Sequence, residues 1–305
     1  SGCVWSVWAL DKKKKTLSPL ARFRGFIQAG ATLLTNIHLP NFAKGTLYQG
    51  GGKYVCVPGL NCYSCPGAAG ACPVGAFQAV VGSSKFRFSY YITGILILFG
   101  VLLGRFICGF LCPFGWFQEL LHKIPSPKLS TKKLKPLRYL KYAVLLVMVV
   151  LLPLLAVNEL GMGDPFFCKY LCPQGVLEGA LPLSLTNAGI RAALGKLFTW
   201  KACILLAVIM GSVVFYRPFC KWLCPLGAFY ALLNKFSLFQ MRVDTHKCVS
   251  CGACARACKM DVDITKTPNH AECIRCGMCM KACPTDAIQY KFGLGDQSNT
   301  ETTKE

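Results

Sequence analysis

Two runs of cysteines near the C-terminal end restrict what this chain can fold into more than any other feature. Both runs have the spacing Cys-x2-Cys-x2-Cys-x3-Cys, and together they span 36 residues. Their members are Cys248, Cys251, Cys254, Cys258, Cys273, Cys276, Cys279 and Cys283. The whole chain has 305 residues and 20 Cys. Disulfide-rich folds are usually small secreted domains, whereas this chain is long and 53% hydrophobic. The cysteines are therefore predicted to bind metal.

The duplicated spacing resembles that of bacterial ferredoxins with two 4Fe-4S clusters, including the proline after the last cysteine. In those proteins the fourth cysteine of each run reaches the cluster of the other run. The resemblance implies one cluster on Cys248, Cys251, Cys254 and Cys283. It implies a second cluster on Cys258, Cys273, Cys276 and Cys279. Lys259 stands where the family pattern has Pro, so that turn is expected to differ. Structural zinc and disulfides are the alternatives.

The formal charge of +21, from 34 Lys and Arg against 13 Asp and Glu, first suggests a nucleic-acid partner. Residues 1–240 contain only five acids, and their basic residues cluster beside apolar runs. No basic helix interleaved with exposed aromatic residues is evident. The pattern is typical of segments that flank membrane spans, and we predict no nucleic-acid partner.

Four apolar stretches of 15 or 16 residues predict membrane spans, although a span needs about 20 residues. They are Gly25–Leu39, Tyr90–Gly104, Tyr142–Val157 and Ala202–Tyr216. Segments 11–24 and 123–141 contain 13 Lys or Arg, whereas the longer segments 39–88 and 158–201 contain eight. The positive-inside rule then places the N-terminus and everything after residue 217 in the cytoplasm. We expect a multi-pass protein of the bacterial cytoplasmic membrane, in contact with lipid.

The membrane region repeats the motif Cys-Pro-x-Gly four times. Its cysteines are Cys72, Cys112, Cys172 and Cys224. The last three follow another cysteine by four residues, namely Cys108, Cys168 and Cys220. Proline suits the first position of a helix, and the free N–H groups at a helix start stabilise a thiolate or an anionic cluster. Each motif therefore predicts a metal ligand at the start of a helix.

The predicted topology sorts these cysteines into an inner and an outer group. The inner group is Cys108, Cys112, Cys220 and Cys224. The outer group is Cys72, Cys168 and Cys172, together with Cys65 or Cys62. Each group is predicted to hold one 4Fe-4S cluster, near opposite faces of the membrane. Redox dithiols or disulfides are the alternative, and Cys62 and Cys65 have the spacing of a redox-active dithiol.

These features predict an α-helical polytopic membrane protein of about four spans with an internal tandem repeat, followed by a small α+β domain like a two-cluster ferredoxin. The boundaries are 1–24 for a basic cytoplasmic N-terminus, 25–240 for the membrane domain, 241–290 for the ferredoxin domain and 291–305 for a flexible tail. The repeats are predicted at 25–138 and 139–240. Parallel repeats of this kind are related by an axis along the membrane normal.

Across roughly residues 50–290 the chain resembles the membrane iron–sulfur proteins related to NapH and NosR, the quinol-dehydrogenase polyferredoxin group. The shared features are paired CxxxCP motifs at membrane helix ends, followed by a two-cluster ferredoxin domain. The chain departs in a third CxxxCP motif and in the block from Cys56 to Gly67, which contains three further cysteines. The resemblance implies electron transfer through the membrane.

Three functions fit these features. The first is a membrane-bound electron-transfer protein, a component of an oxidoreductase system, that carries electrons between a cytosolic donor and an extracytoplasmic acceptor. The second is a quinol dehydrogenase subunit, for which Glu119, Glu159 and Glu178 are the acids near the interfaces that could handle protons. The third is a transmembrane thiol reductase in which Cys62 and Cys65 reduce an extracytoplasmic partner.

The expected partners follow from charge and from the predicted sides of the membrane. On the cytosolic side we expect an acidic ferredoxin or flavodoxin, or a reductase, attracted by basic residues of the ferredoxin domain. Those residues are Arg256, Lys259, Lys266, Arg275 and Lys281. On the outer side we expect an extracytoplasmic redox protein or the quinone pool. The sequence has no GxGxxG or Walker A motif, so no nucleotide site is predicted.

Overall fold

A computed structural model describes residues 19–83, 90–159 and 162–293. Most of the predicted N-terminal segment 1–24 and of the predicted tail 291–305 therefore lies outside the described residues. Within the described residues the chain is mostly helical, with a two-stranded sheet near the C-terminal end.

Four apolar helices correspond to the four predicted stretches but differ in length. They are Arg24–Thr35, Tyr90–Leu103, Leu134–Leu155 and Lys196–Val214. The last two, with 22 and 19 residues and mean hydropathies of 1.9 and 2.1, are long and apolar enough to cross a membrane. Only 22% and 17% of their apolar windows are buried in the protein, so most of this surface faces outward. For the two shorter helices the span remains a prediction.

The polar residues in the first apolar stretch pack inward. Gln28 is 4% exposed, and its amide donates to the carbonyl of Gly109 (2.9 Å) and to Glu119 (3.1 Å). The helix ends at Thr35, after which the side-chain amide of Asn36 donates to Asn61 (3.2 Å). These contacts explain why this stretch is less apolar than the others.

The helix Leu134–Leu155 changes its winding along its length. It starts within a 3-10 segment, Lys132–Tyr139, and continues as one α-helical turn, Leu140–Val144. A wider π-type segment, Leu145–Leu151, and a last α-turn, Leu152–Leu155, complete the helix. Pro136 and Pro153 lie in the first and last of these segments. Because proline lacks an N–H group, it interrupts regular helical hydrogen bonding.

Short helices follow the Cys-Pro-x-Gly motifs. Three begin at the proline, as predicted: Pro73–Gly82, Pro113–His122 and Pro225–Leu233. The fourth begins after its proline, with the segments Gly175–Ala180 and Leu181–Thr186. The capping cysteine before the first three helices has an extended backbone. The first turn of each helix thus starts with its free N–H groups beside a thiol.

Shorter turns connect these elements. They are Pro19–Arg22, Pro40–Lys44, Gly51–Tyr54, Phe106–Phe110, Phe167–Leu171, Ala188–Ala192 and Pro218–Trp222.

The ferredoxin domain has a β-ribbon and two one-turn helices. Strand β1, Phe239–Val243, pairs antiparallel with β2, Ile288–Phe292, so that Met241 lies opposite Tyr290. The helices are Ala253–Ala257 and Met278–Ala282. Each is preceded by a glycine, Gly252 or Gly277, with φ of 67° or 74°. The tight Cys-x2-Cys turns need this left-handed conformation, which glycine adopts without steric cost.

The ferredoxin domain packs directly on the helices of residues 25–240, the predicted membrane domain. Val262 and Ile274 of the ferredoxin domain belong to the same core as Ile107 and Phe114. Glu272 is buried between Arg105 (2.7 Å) and Lys141. Burial would raise the pKa of Glu272, but these two cations outweigh it and lower the pKa to about 2. The ionised carboxylate therefore fastens the two domains together.

Arg275 is a second buried link between the domains. It is fully buried, and its guanidinium donates to the carbonyls of Leu103 (2.7 Å) and Asn234 (2.8 Å). The prediction that Arg275 attracts an acidic partner is therefore wrong, because a charge committed to an internal interface does not face solvent. The other four basic residues of that prediction are exposed: Arg256, Lys259, Lys266 and Lys281.

Candidate metal centres

The cysteines of the ferredoxin domain form two groups, arranged as the resemblance implies. Site A is Cys248, Cys251, Cys254 and Cys283, all of which line one small cavity. Site B is Cys258, Cys273, Cys276 and Cys279. In site B, burial and the three neighbouring thiols raise the pKa of Cys279. Each site thus combines three thiols of one run with the fourth of the other.

The inner site brings together the two cysteine pairs predicted for it. Its members are Cys108, Cys112, Cys220 and Cys224, each at most 8% exposed. Burial and the three neighbouring thiols raise the pKa of Cys224. Backbone N–H groups at the helix starts face these thiols, as where Gly227 donates to Cys224 Sγ (3.3 Å). The site therefore offers four thiols together with donors that stabilise negative charge.

Two arginines cross between the cysteine pairs of the inner site. Arg105 donates to the carbonyl of Cys220 (3.5 Å), and Arg217 donates to the carbonyl of Cys108. Both guanidinium groups are fully buried. Within the described residues, Arg217 Nη2 has no hydrogen-bond partner. Arg105 shares the Glu272 carboxylate with Lys141, and Arg217 shares the Glu119 carboxylate with Arg24, so each group has one positive charge in excess. Because buried positive charge needs compensation, this excess favours an anionic group at the inner site.

The outer site contains four neighbouring thiols. They are Cys62, Cys72, Cys168 and Cys172, and the first three raise the pKa of the last in addition to its burial. The glycines of two Cys-Pro-x-Gly motifs each lie beside a sulfur atom from another segment. A Cβ on Gly75 would lie 3.7 Å from Cys168 Sγ, and one on Gly175 would lie 3.8 Å from Cys62 Sγ. Cys62 is therefore the spatial counterpart of Cys168.

Cys65, the other residue named for the outer group, lies in a different environment. It is fully buried, and its Sγ donates to Asn36 Oδ1 (3.3 Å). Of the two alternatives left open by the sequence, the structure thus groups Cys62 rather than Cys65 with the other three thiols. Cys56 is also buried nearby, where its backbone bridges to Ala71.

The residue six positions after each Cys-Pro-x-Gly cysteine was not predicted from the sequence as a shared position of the sites, and only Glu178 was named, as an acid near an interface. These residues are Gln78, Gln118, Glu178 and Tyr230. Glu178 accepts from the backbone N–H of Cys62 (2.9 Å), and burial raises the pKa of Glu178 to about 7. Gln78 and Gln118 donate to cysteine sulfur atoms. An alignment of the four motifs on their cysteines would have revealed this polar position among apolar neighbours.

The inner and outer sites adjoin the same buried tyrosine. Tyr230 lies near both Cys112 and Cys72, and its hydroxyl donates to the carbonyl of Pro58 (3.0 Å). A Cβ on Gly59 would lie 2.9 Å from Cα of Cys112. The loop that contains these residues thus packs against the inner site. The sequence predicted that the two sites lie near opposite membrane faces, whereas in the structure both adjoin Tyr230. Hydropathy does not reveal a loop that folds back among helices, so this proximity was not predicted.

Two sequence families, both described as "4Fe-4S binding domain", match the chain. One matches residues 70–91, 88–132, 142–181 and 198–244, and each match contains one Cys-Pro-x-Gly motif. The other matches residues 241–262 and 267–289, which contain the two cysteine runs. The chain belongs to the ferredoxin-type 4Fe-4S proteins. Its cofactors are several 4Fe-4S clusters, and the resemblance to proteins of the NapH and NosR type is confirmed.

Similar ferredoxin-type chains occur in archaea and bacteria. The uncharacterised protein MJ0750 of Methanocaldococcus jannaschii is 29% identical over 207 residues, 67% of this chain and 79% of that protein. The putative electron transport protein YccM of Escherichia coli K12 is 25% identical over 180 residues, 56% of this chain and 45% of YccM. The regulatory protein NosR of Pseudomonas aeruginosa is 27% identical over 163 residues, 52% of this chain and 21% of NosR.

The chain spans only part of the length of several of these relatives. The chain spans 61% of another Methanocaldococcus jannaschii relative, MJ0749, and less than half the length of YccM and of NosR. No solved structure gives a significant match to the chain.

The residues of this ferredoxin-type protein fit the clusters that the families imply. All cysteines that the structure describes are free thiols, and sixteen of them fall into the four neighbouring sets given above. Among the described residues, no three ligands lie close enough to hold a single metal ion. The buried arginines and helix starts at the inner site supply positive charge and N–H donors for thiolate-bound iron, which carries net negative charge.

A cavity of about 720 Å³ lies beside the outer site. Its lining includes four outer-site thiols, Cys56 and two lysines, Lys53 and Lys201. Lys53 is 7% exposed, and its amine lies 4.7 Å from the centre of the Tyr63 ring. Lys201 donates to the carbonyl of Cys168 (3.0 Å). The two ammonium groups bring positive charge to this site.

Proposed function

We propose that this protein carries electrons between a cytosolic donor and an extracytoplasmic acceptor, through sites A and B of the ferredoxin domain and then the inner and outer sites. When bound, each 4Fe-4S cluster accepts and releases one electron at a time. The chain would lie in the bacterial cytoplasmic membrane, with four spans, an internal repeat, and the N-terminus and ferredoxin domain on the cytoplasmic side.

One observation carries this proposal: site B, the inner site and the outer site adjoin one continuous core. Site A lies in a second core, against which Cys273 and Cys279 of site B also pack, so site B lies between the two. Cys258 and Cys276 of site B pack against the core that contains Cys112 of the inner site and Cys72 of the outer site. The half-buried Arg24 and the buried Tyr216 also lie near Cys276, and Arg217, which follows Tyr216 in the chain, lies near Cys112. A dry, rigid path of this kind keeps electron-carrying sites at fixed separation and excludes water.

The quinol dehydrogenase alternative needs an acid that can accept protons. Glu119 accepts from Arg24 (2.5 Å) and from the Tyr216 hydroxyl, and it pairs with Arg217 (3.1 Å). Burial would raise the pKa of Glu119, but Arg217 and Arg24 outweigh it and lower the pKa to about 2. A carboxylate held in this way does not exchange protons near neutral pH, so Glu119 does not support this alternative. Burial raises the pKa of Glu178 to about 7, but Glu178 accepts from the Cys62 backbone N–H and does not line the cavity beside the outer site, so this alternative is less favoured.

The thiol reductase alternative needs a reactive dithiol, whose attacking cysteine usually has a lowered pKa. Burial instead raises the pKa of Cys62 to about 11 and that of Cys65 to about 12. In addition, the two cysteines lie in different environments, because Cys62 faces Gly175 in the outer site and Cys65 contacts Asn36. This arrangement suits ligand and structural roles better than dithiol exchange.

The test of the proposal is a count of iron and acid-labile sulfide in the full chain, purified anaerobically. Four clusters predict about sixteen irons per chain. The double variant Cys220→Ala/Cys224→Ala should lose about four of them. Cys203→Ala is the matched control, because Cys203 is exposed and belongs to none of the four sites. About eight irons in the unchanged protein would overturn the proposal for the inner and outer sites.

A further inference from the structure

Two buried glutamines make the same three contacts at the inner and outer sites. Gln118 Nε2 donates to Cys220 Sγ (3.2 Å) and to the carbonyl of Phe114 (3.3 Å). Its Oε1 accepts from the backbone N–H of Phe219 (3.2 Å). Gln118 is fully buried. It therefore holds one thiol of the inner site from a second helix.

Gln78 repeats this geometry at the outer site. Its Nε2 donates to Cys168 Sγ (3.1 Å) and to the carbonyl of Val74 (3.4 Å), and its Oε1 accepts from the backbone N–H of Phe167 (2.9 Å). Gln78 is also fully buried. Both glutamines thus bond the first cysteine of a CxxxCP pair and the backbone N–H just before it. The recurrence at two separate sites indicates a shared role.

The backbone N–H fixes which end of each amide faces the sulfur. An N–H group can only donate, so the carbonyl oxygen of the glutamine must point to Phe167 or Phe219. The NH2 end then points to the sulfur, which must act as the acceptor. A sulfur that accepts from an amide in a dry site is stabilised as a thiolate, the form that binds iron.

We propose that Gln78 and Gln118 are positioning residues that raise the reduction potentials of the outer and inner sites. This inference rests on the proposed function, in which both sites hold clusters. Reduction adds negative charge, and a hydrogen bond to a ligand sulfur stabilises the more negative state more strongly. Because both sites have the same donor on one ligand, the two potentials shift in the same direction. These two hydrogen bonds therefore do not by themselves create a difference in potential between the sites.

Glu178 and Tyr230 are the other two residues that lie six positions after a Cys-Pro-x-Gly cysteine, and their contacts differ from those of the glutamines. Glu178 accepts from the Cys62 backbone N–H, and the Tyr230 hydroxyl donates to the Pro58 carbonyl. Within the described contacts, neither donates to a cysteine sulfur. Of the four residues at this motif position, the effect on potential is therefore assigned to the two glutamines, one for each site.

The experiment is a redox titration of the full chain, monitored by electron paramagnetic resonance, for Gln118→Met and Gln78→Met. Methionine has a similar length but no donor. We expect Gln118→Met to lower the potential of the inner site only, and Gln78→Met to lower that of the outer site only, so that each variant is the control for the other. Full iron content with both potentials unchanged would overturn the inference.

A measurement on the unchanged protein covers the case in which a variant loses iron. Protein labelled with 15N in the glutamine side-chain amide should give a 15N coupling in pulsed paramagnetic resonance of the reduced inner and outer sites. Absence of this coupling would overturn the inference even with all clusters present. A protein with about eight irons would instead contradict the proposed function, so the two failures are distinct.

Discussion

At the scale of single residues, the Cys-Pro-x-Gly motif separates three physical roles. Its cysteine has an extended backbone before the helix, and its proline starts three of the four helices without losing a hydrogen bond. Its glycine provides space. A Cβ on Gly115 would lie 2.9 Å from Arg217 Nη1 and 3.1 Å from the carbonyl of Cys108. The inner site therefore cannot accept a larger residue at that position without moving its arginine.

Gly115→Ala tests this steric role. We expect a loss of about 1–3 kcal/mol in the free energy of unfolding, as for overpacked sites, together with loss of iron from the inner site. Thermal unfolding and iron analysis measure the two effects. Gly94→Ala is the control, because a Cβ there meets no atom within 4 Å and alanine favours a helix interior. Equal behaviour of the two variants would contradict the steric argument.

Glu272→Gln tests the buried ion pairs between the domains. The variant leaves Arg105 and Lys141 buried without their shared carboxylate. Breaking a buried pair in this way costs about 3–5 kcal/mol, so we expect a lower midpoint of thermal unfolding. Asp244→Asn, which removes the exposed pair with Lys247 (3.5 Å), should leave the midpoint nearly unchanged, because solvent screens an exposed pair. A similar midpoint for both variants would show that Glu272 contributes little to docking.

At the scale of elements, structural features that depend on neighbouring residues were predicted from the sequence, whereas features that depend on contacts between distant segments were not. Cysteine spacing and proline after cysteine identified the ligand turns and three helix starts, because those features depend on neighbouring residues. The start at Gly175 and the inward packing of Gln28 were not predicted, because each depends on tertiary contacts. The choice between Cys62 and Cys65 was also left open. Only the facing helix start, with Gly175 and Glu178, distinguishes them.

The different environments of Cys62 and Cys65 predict different effects for the two alanine variants. Cys62→Ala should lower the iron content by about four per chain, since Cys62 faces a helix start as Cys168 does. Cys65→Ala should retain full iron and lose only local stability, because Cys65 bonds to Asn36 outside the thiol group. Iron and sulfide analysis of both proteins checks this. Iron loss in Cys65→Ala alone would assign the outer site to the other cysteine.

At the scale of the whole molecule, charge is distributed unevenly along the chain. The formal net charge is +21. Four of the five basic residues predicted to attract a partner are exposed on the ferredoxin domain, which also contains sites A and B. The buried basic residues, by contrast, bind carboxylates or carbonyls between the domains. Surface charge is therefore available to attract a partner, while internal charge holds the ferredoxin domain on the helices.

The last prediction concerns this surface charge. Reduction of the protein by an acidic ferredoxin should slow as salt rises, because steering between opposite charges is screened. The variant Arg256→Glu/Lys266→Glu should reduce the association rate by about tenfold or more at low salt, the lower limit of steering effects. Arg191→Glu is the control, because Arg191 is exposed on a segment predicted to face the other side of the membrane. Stopped-flow absorbance measures the rates. A rate independent of salt, or equally reduced in the control, would mean that the donor does not dock on the ferredoxin domain through charge.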